Sequence, residues 1–176
     1  MELYFLRHGR AEDPGSRGVS DDFSRALTKK GIEELHAEAD GLERLGVQPD
    51  VVLTSPLVRA RQTAEVVAKR LGVKKEPIET ELLAPGCDLE KVRKLVEHHA
   101  KRERILLVGH EPDFSAIVGE LIGGGAASVE MKKAGLAMIR VDRSVRAGGG
   151  VLRWLLPPRV LRACGGDSGG NDDSRP

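Results

Sequence analysis

The stretch LYFLRHG, residues 3–9, decides the fold that this sequence predicts. Its first four residues are apolar, which is typical of a short strand that is covered on both faces of a sheet. The run ends in Arg7 and His8, and the glycine that follows them allows a sharp backbone turn. The sequence therefore predicts a buried strand whose carboxyl end presents Arg7 and His8.

Similar apolar runs recur along the chain, and segments with helical periodicity separate them. Residues 51–53 and 105–108 are strand candidates, and a weaker candidate surrounds Ile78. Apolar residues spaced three or four apart predict amphipathic helices within residues 32–45, 60–71, 89–96 and 114–122. This alternation predicts an α/β fold, a three-layer sandwich with a mostly parallel central sheet and helices on both faces.

The C-terminal part of the chain has a different pattern. Residues 136–141 and 150–155 flank a turn-rich stretch, which predicts an antiparallel hairpin at the edge of the sheet. Residues 165–176 are rich in Gly, Asp and Ser, a composition typical of a flexible tail. We therefore expect one domain over residues 1–164, followed by a flexible tail over residues 165–176.

Short polar residues and glycines mark the expected ends of two helices. Thr28 and Ser55 are candidate N-caps, because their hydroxyl oxygens can accept a hydrogen bond from the first helical turn. Gly46 and Gly72 each follow the last apolar position of a helical stretch, where a left-handed residue commonly ends the helix.

The composition excludes several classes of protein. The 28 Lys and Arg residues against 27 Asp and Glu residues give a net charge of +1, so no whole face would attract a nucleic acid. No apolar run approaches the roughly 20 residues of a membrane span. Cys87 and Cys164 lack the spacing of a metal site or a disulfide framework. We expect a cytoplasmic protein, monomeric or weakly dimeric, with neither a nucleic acid nor a membrane as partner.

Two further motifs follow the second and third strong strand candidates. The first, SPLVRARQTA at residues 55–64, places Arg59 in the first turn of a predicted helix. The helix dipole disfavours a cation there, so Arg59 predicts an anion that compensates both charges. The second motif, GHEP at residues 109–112, places His110 at the end of a strand.

Polar side chains at three strand ends predict one pocket. Ligands bind beyond the carboxyl ends of the strands in open α/β sheets, so neighbouring strands would bring Arg7, His8, Arg59 and His110 together. Two guanidinium groups and two imidazoles describe an anion pocket with a histidine as the candidate nucleophile. No Ser, Cys or Asp at these strand ends is an equally good nucleophile.

Other histidines and arginines have a simpler interpretation. His36, His98 and His99 lie on helical stretches that are rich in charge, so we expect them on the solvated surface. Arg61 is expected to face solvent or to contact substrate at the rim of the pocket, and for Arg10 both interpretations stay open.

The three motifs, RHG at residues 7–9, SPLVRARQTA and GHEP, resemble in order and spacing those of the histidine phosphatase superfamily, which has the phosphoglycerate mutase-like fold. LTKKG at residues 27–31 is similar to the segment before that family's first helix. The resemblance covers residues 1–164.

Within the superfamily, the chain most resembles the small bacterial phosphohistidine phosphatases. Only 51 positions separate Arg59 from His110, which leaves no room for the subdomain that many mutases and acid phosphatases insert over the site. The segment WLLPP, residues 154–158, is also similar to a C-terminal run of that group.

The resemblance implies two-step phosphoryl transfer. His8 would attack phosphorus, and Arg7, Arg59 and His110 would hold the phosphoryl oxygens before water hydrolyses the phosphoenzyme. His8 must be neutral and His110 is more useful protonated, which predicts a bell-shaped pH profile. Other substrate contacts are expected from residues in the same motifs, namely Gly9, Thr28, Ser55 and Gly109. No carboxylate cluster suggests a metal site, so we expect neither a metal nor a cofactor.

The acid that protonates the leaving group decides the expected substrate. Many superfamily members supply a Glu or Asp for this step, and Glu79, Glu81 and Asp88 do not match its position. Phosphohistidine needs little help because its imidazole leaves readily, so we expect phosphohistidine on a partner protein as the substrate. The alternatives are a small-molecule phosphomonoesterase, with Glu81 or Asp88 as the acid, and a non-catalytic phosphate-binding module.

Overall fold

The computed structural model describes residues 1–16, 21–142 and 144–166. Six strands form one sheet: β1 (Glu2–Arg7), β2 (Val51–Thr54), β3 (Ile78–Glu79), β4 (Arg104–Gly109), β5 (Leu136–Val141) and β6 (Gly150–Leu156). The α-helices of these ranges are α1 (Lys29–Arg44), α2 (Val58–Arg70), α3 (Leu89–His98), α4 (Asp113–Gly123) and α5 (Pro158–Gly165). A 3₁₀ turn at Glu81–Leu83 precedes α3.

The order of the strands across the sheet is β3-β2-β4-β1-β5-β6. Strands β1 to β4 run parallel to one another, whereas β5 is antiparallel to β1 and β6 is antiparallel to β5. The predicted α/β fold, with a mostly parallel sheet and an antiparallel edge hairpin, is therefore confirmed. Because β2, β4 and β1 are adjacent, their carboxyl ends lie side by side at one edge of the sheet.

Strand β1 shows how the sheet divides the core into two layers. Leu3 and Phe5 pack among residues of α3 and α4, whereas Tyr4 and Leu6 pack among residues of α1, α2 and α5. Successive side chains of a strand point to opposite faces, and all four of these are buried. A strand between two layers of helices needs apolar residues at every position, which is why this continuous run predicted it correctly.

Helix α5 is an element that the sequence pattern did not predict. It packs against α1, where Gly41 lets the two backbones approach: a Cβ atom at this position would lie 1.9 Å from the carbonyl oxygen of Leu161. Arg162 also donates a hydrogen bond of 2.6 Å to the buried carboxylate of Glu38. Leu161 is the residue of α5 that the core buries completely, and one such residue makes no periodic stripe.

The expected helix ends are right at three of four positions. Thr28 caps α1 and accepts a hydrogen bond of 2.9 Å from a backbone N–H of the first turn. Gly46 and Gly72 have left-handed backbone, with φ of 75° and 65°. Ser55 as an N-cap is wrong, because α2 begins three residues later, at Val58.

The boundary of the predicted tail falls at the end of α5. This helix extends to Gly165, and Gly166 follows it with left-handed backbone. Residues 167–176 lie outside the described residues, so the flexibility of the tail stays a prediction. Within the described ranges, the helices are too short or too polar to cross a lipid bilayer.

Candidate active site

The carboxyl ends of β1, β2 and β4 bring the candidate residues together. Arg7 ends β1 and His8 follows it, Ser55 follows β2, and His110 follows β4. Arg59 lies in the first turn of α2. The ring centroids of His8 and His110 are 5.2 Å apart, and Nε of Arg59 lies 3.3 Å from Nε2 of His8.

His8 is held in one tautomer by its two hydrogen bonds. Its Nδ1 atom lies 2.8 Å from the carbonyl oxygen of Gly9. Since a carbonyl oxygen only accepts hydrogen bonds, Nδ1 carries the proton. Nε2 is then unprotonated and accepts the hydrogen bond from Nε of Arg59. The nitrogen with the free electron pair is therefore the one that faces the guanidinium group, as a nucleophile beside an anion site requires.

Burial keeps the His8 imidazole neutral. Burial is the largest of the causes that lower the pKa of His8 from 6.5 to about 3, and the nearby His110, Arg59 and Arg7 contribute in the same direction. The hydrogen bond to Gly9 opposes this effect. The sequence analysis required a neutral His8, and loss of hydration is a larger cause of that state than the cationic neighbours. The position of the ring in the core therefore matters more than the charges around it.

His110 is also buried, and Ser55 orients its ring. Burial and the charge of Arg59 lower the pKa of His110 from 6.5 to about 4, whereas Asp22 raises it. Nε2 of His110 lies 2.8 Å from the hydroxyl oxygen of Ser55, which also accepts a hydrogen bond of 3.3 Å from the backbone of Leu57. When the hydroxyl donates to Nε2, the proton of a neutral His110 resides on Nδ1. This N–H can then donate to an anion.

Arg59 contacts an acidic residue that the sequence analysis did not single out. Its two terminal nitrogens donate to Asp22, one to the backbone oxygen at 2.6 Å and the other to Oδ2 at 3.0 Å. The other carboxylate oxygen, Oδ1, accepts a hydrogen bond of 2.7 Å from Arg25. The sequence analysis predicted an anion beside Arg59 but considered only a ligand. A buried arginine generally needs a partner, and that rule was the available signal for a carboxylate within the chain.

Arg7 is held by the loop that precedes β5, residues 131–135. One terminal nitrogen of Arg7 donates to the carbonyl oxygen of Met131 at 2.8 Å. The backbone N–H of Ala134 lies 3.1 Å from the carbonyl oxygens of both Arg7 and His8. Ala134 has a φ of 58°, a left-handed conformation that is uncommon for residues other than glycine. The loop thus fixes the end of β1 at the cost of a strained backbone, and sequence reasoning missed it.

The four predicted substrate-binding residues have different positions. Ser55 contacts His110, and the backbone N–H of Gly9 donates to the hydroxyl of Thr63 at 3.1 Å. Gly109 packs against the ring of Phe114 in α4, and a Cβ atom at position 109 would lie only 2.5 Å from that ring. Thr28 caps α1, and its described contacts do not join it to the imidazoles or guanidinium groups. Substrate contact by these residues stays a prediction.

The carboxylates considered as leaving-group acids are engaged or exposed elsewhere. Glu79 lies 3.6 Å from Arg61 in an ion pair. Asp88 caps α3 by accepting a hydrogen bond of 2.8 Å from the backbone of Lys91. Glu81 begins the 3₁₀ turn and is exposed. Among the described residues, no group of three or more His, Cys, Asp and Glu side chains is arranged to hold a metal ion.

Two N–H groups of the site that lack a partner in the described part of the chain favour an anionic ligand. With both imidazoles neutral, Arg7 and Arg59 are the cations that act on His8, and the carboxylates of Asp22, Glu111 and Glu130 partly offset their charge. Nε of Arg7 and Nδ1 of His110 are buried without a hydrogen-bond partner among the described residues. Buried donors are normally satisfied, so these two atoms point to a bound acceptor. The site can hold a tetrahedral oxyanion beside the unprotonated Nε2 of His8.

The low pKa values predict that both imidazoles stay neutral in mildly acidic solution. In a histidine-selective NMR titration, we expect neither His8 nor His110 to be protonated between pH 8 and pH 5. The unfolded chain takes up these protons near pH 6.5, so the free energy of unfolding falls as the pH drops below 6.5. The fall is up to about 1.4 kcal/mol per pH unit and group.

The same titration of the urea-unfolded protein is the control for that experiment. There, both imidazoles should return to a pKa near 6.5. Protonation of His8 near pH 6.5 in the folded protein would mean that the ring is hydrated and that the described packing around it is wrong.

Comparisons with known proteins relate this chain to one family. Residues 3–84 match the model of the histidine phosphatase superfamily (branch 1), a range that contains His8 and Arg59. An uncharacterized protein of Picosynechococcus sp. (strain PCC 7002) is 38% identical over 144 residues, which are 80% of this chain and 85% of that protein.

The similarity to one group of phosphatases extends over nearly the whole chain. The phosphohistidine phosphatase SixA of Escherichia coli (strain K12) is 28% identical over 164 residues, covering 92% of this chain and 97% of SixA. A structure of the protein histidine phosphatase SixA complexed with tungstate superposes with a TM-score of 0.79 at 27% identity, over 92% of this chain and 99% of that one. The resemblance predicted from the motifs is confirmed, and the chain belongs to the histidine phosphatase superfamily (branch 1).

Proposed function

We propose that this protein removes phosphate from phosphohistidine on a partner protein, through a phosphoenzyme on His8 and without a metal ion. The observation that carries the proposal is the neutral His8, whose unprotonated Nε2 accepts a hydrogen bond from Arg59 beside a second imidazole, with the charge of Arg7 near enough to lower the pKa of His8. The similarity to SixA over 92% of the chain supports the same substrate class.

The first step forms a bond between Nε2 of His8 and phosphorus. The bond between phosphorus and the substrate imidazole breaks, and that imidazole, whose other ring nitrogen carries a proton taken up from solvent, leaves with the electron pair as a neutral ring. Arg7, Arg59 and Nδ1–H of His110 stabilise the phosphoryl oxygens, which carry the charge of the transition state. The ring of His8 becomes positive in this step, and the carbonyl oxygen of Gly9 stabilises it by accepting the hydrogen bond from Nδ1.

The second step regenerates the neutral histidine. A water oxygen attacks phosphorus in line with the bond to Nε2, this bond breaks, and the electron pair returns to His8. The proton of the water passes to solvent or to the phosphate product. The same donors hold the phosphoryl oxygens in both steps, so the site needs no rearrangement between them.

The carboxylate at the site supports phosphohistidine over an alkyl phosphate as substrate. The hydrogen bond from Arg25 and the contacts with Arg59 hold the pKa of Asp22 below its usual range. Asp22 is therefore ionised at neutral pH and is a poor acid for an alkoxide leaving group. An imidazole leaves from phosphorus without such an acid, so phosphohistidine matches the groups that this site offers.

The short connection between Arg59 and His110 supports a macromolecular substrate. After α2, it consists of β3, the 3₁₀ turn, α3 and β4, and α3 packs its apolar residues into the core. An inserted lid subdomain has no residues left from which to form. A site without such a lid admits a histidine that is displayed on the surface of another protein.

The test compares two substrates at pH 7.5. The first is a protein domain phosphorylated on histidine with phosphoramidate, and the second is O-phosphoserine. We expect release of phosphate from the first, with kcat/KM at least about 100-fold higher than for the second. Activity on O-phosphoserine without activity on phosphohistidine would support a small-molecule phosphomonoesterase, and activity on neither would support a non-catalytic phosphate-binding module.

A further inference from the structure

We infer that Asp22 is a positioning residue of this site, which holds the guanidinium group of Arg59 with its Nε side turned toward the nucleophilic nitrogen of His8. The activity tests of this inference rest on the proposed function, whereas the test by phosphate binding does not. Asp22 lies in the segment between β1 and α1, outside the three motifs that contain the other four site residues.

The hydrogen bonds of Arg59 divide its guanidinium group into two sides. Both terminal nitrogens donate to Asp22, through the backbone oxygen and Oδ2. Nε lies on the opposite side and donates to Nε2 of His8. A guanidinium group has five N–H donors in one plane, and these bonds use three of them. One of the remaining donors lies beside Nε, so a phosphoryl group on Nε2 of His8 meets two parallel N–H groups there.

Asp22 is itself fixed in place from two directions. Its Oδ1 accepts a hydrogen bond from Arg25, whose Nε donates to the backbone oxygen of Glu12 at 2.7 Å. The next residue, Phe23, accepts a hydrogen bond of 3.1 Å from the backbone N–H of Val58, at the start of α2. Asp22 is therefore anchored to the start of α2 and keeps a fixed position relative to the guanidinium group of Arg59.

Arg59 needs such an anchor because its own helix does not supply one. The first turn of α2 contains no acidic residue, and the helix dipole adds positive charge at this end. An arginine side chain has several freely rotating bonds, and orientation of its planar fork makes binding of an oxyanion specific. The Asp22 side chain is 57% exposed, so water screens its charge and the fixed hydrogen bonds are its main contribution.

The experiment is a double-mutant cycle between Asp22→Ala and Arg59→Ala. Asp22→Ala in the wild-type background should lower kcat/KM about 10-fold, because the fork holds the phosphoryl oxygens of the bound substrate as well as those of the transition state. In the Arg59→Ala background, Asp22→Ala should have no further effect, because the residue through which it acts is missing. Additive losses in the double mutant would overturn the inference.

Two further variants separate position from charge. Asp22→Asn keeps an acceptor for Arg59 and should recover at least half of the activity that Asp22→Ala loses. Asp21→Asn removes the same charge from the neighbouring residue, whose carboxylate accepts a hydrogen bond from the backbone of Ser24, and should leave kcat/KM unchanged. An Asp22→Asn variant no more active than Asp22→Ala would overturn the positioning role.

Binding of inorganic phosphate, measured by calorimetry, tests the inference without turnover. Asp22→Ala should weaken phosphate binding several-fold, because the fork loses its fixed orientation. Tighter binding in this variant would show that Asp22 competes with phosphate for Arg59, and it would overturn the inference. A wild-type protein that binds phosphate but hydrolyses neither substrate would contradict the proposed function and leave this binding comparison valid.

Discussion

Replacement of His8 with alanine is expected to abolish turnover, with kcat lowered by at least about 10⁴-fold, as for the loss of a covalent nucleophile in other enzymes. Nε2 of His8 is unprotonated, because its Nδ1 donates to Gly9 and its pKa lies far below neutral, whereas the unprotonated Nε2 of His110 is taken up by the hydroxyl of Ser55. In the His8→Ala variant the bound phosphoryl group meets no nucleophile from the protein, so only direct attack by water remains.

The measurement combines turnover with capture of the phosphoenzyme. Wild-type protein quenched during the reaction should carry a phosphoryl group that is labile in acid and stable in base, as a phosphorylated imidazole is. His8→Ala should carry none. The control is His36→Ala, because this histidine is exposed on α1, and we expect its turnover to equal that of the wild type. A phosphoryl group that persists in His8→Ala would assign the nucleophile to another residue.

Replacement of Arg59 with alanine is expected to lower kcat/KM by about 100- to 1000-fold, as for removal of one charge-stabilising donor from other active sites. Arg59 is 95% buried, and its guanidinium group contacts both the nucleophile and Asp22. Its loss removes two N–H donors to the phosphoryl oxygens and leaves the carboxylate of Asp22 without its buried partner. Repulsion between this carboxylate and the incoming phosphate adds to the loss.

Arg59→Lys and Arg70→Ala are the matched variants for this prediction. Lysine restores the charge, but an ammonium group cannot reproduce the planar fork, so we expect it to recover little of the lost activity. Arg70 lies at the other end of α2, in exposed ion pairs with Asp40 and Glu43, and its removal should leave kcat/KM unchanged. Equal losses from Arg59→Ala and Arg70→Ala would place the site elsewhere.

The sequence predicted the sheet because the strands that form its centre are covered on both faces. Runs such as Leu3 to Leu6 and Ile105 to Val108 are continuously apolar, and local pattern alone distinguishes them. Helix α5 was not predicted because it lacks such a local apolar pattern. It is eight residues long, Leu161 is its one fully buried residue, and its contact with α1 depends on Gly41, which is 120 positions away in the chain.

The candidate site divides in the same way. Each of Arg7, His8 and His110 stands at the end of an apolar run, and Arg59 stands just after another, so their order in the sequence predicted a common edge. The partners that orient them are distant in the chain: Asp22 lies 37 positions from Arg59, Ser55 lies 55 from His110, and Met131 lies 124 from Arg7. Local spacing carries no information about such contacts.

The sequence by itself therefore determined the family, the sheet and the four side chains at its edge, because each of these depends on local pattern and on motif order. The tertiary structure alone decided the protonation of those side chains and the orientation of Arg59. The physical reason is burial, which is the largest of the causes that lower the pKa of His8 to about 3 and that of His110 to about 4. Hydration depends on every element that packs around a group, and residue spacing does not reveal it.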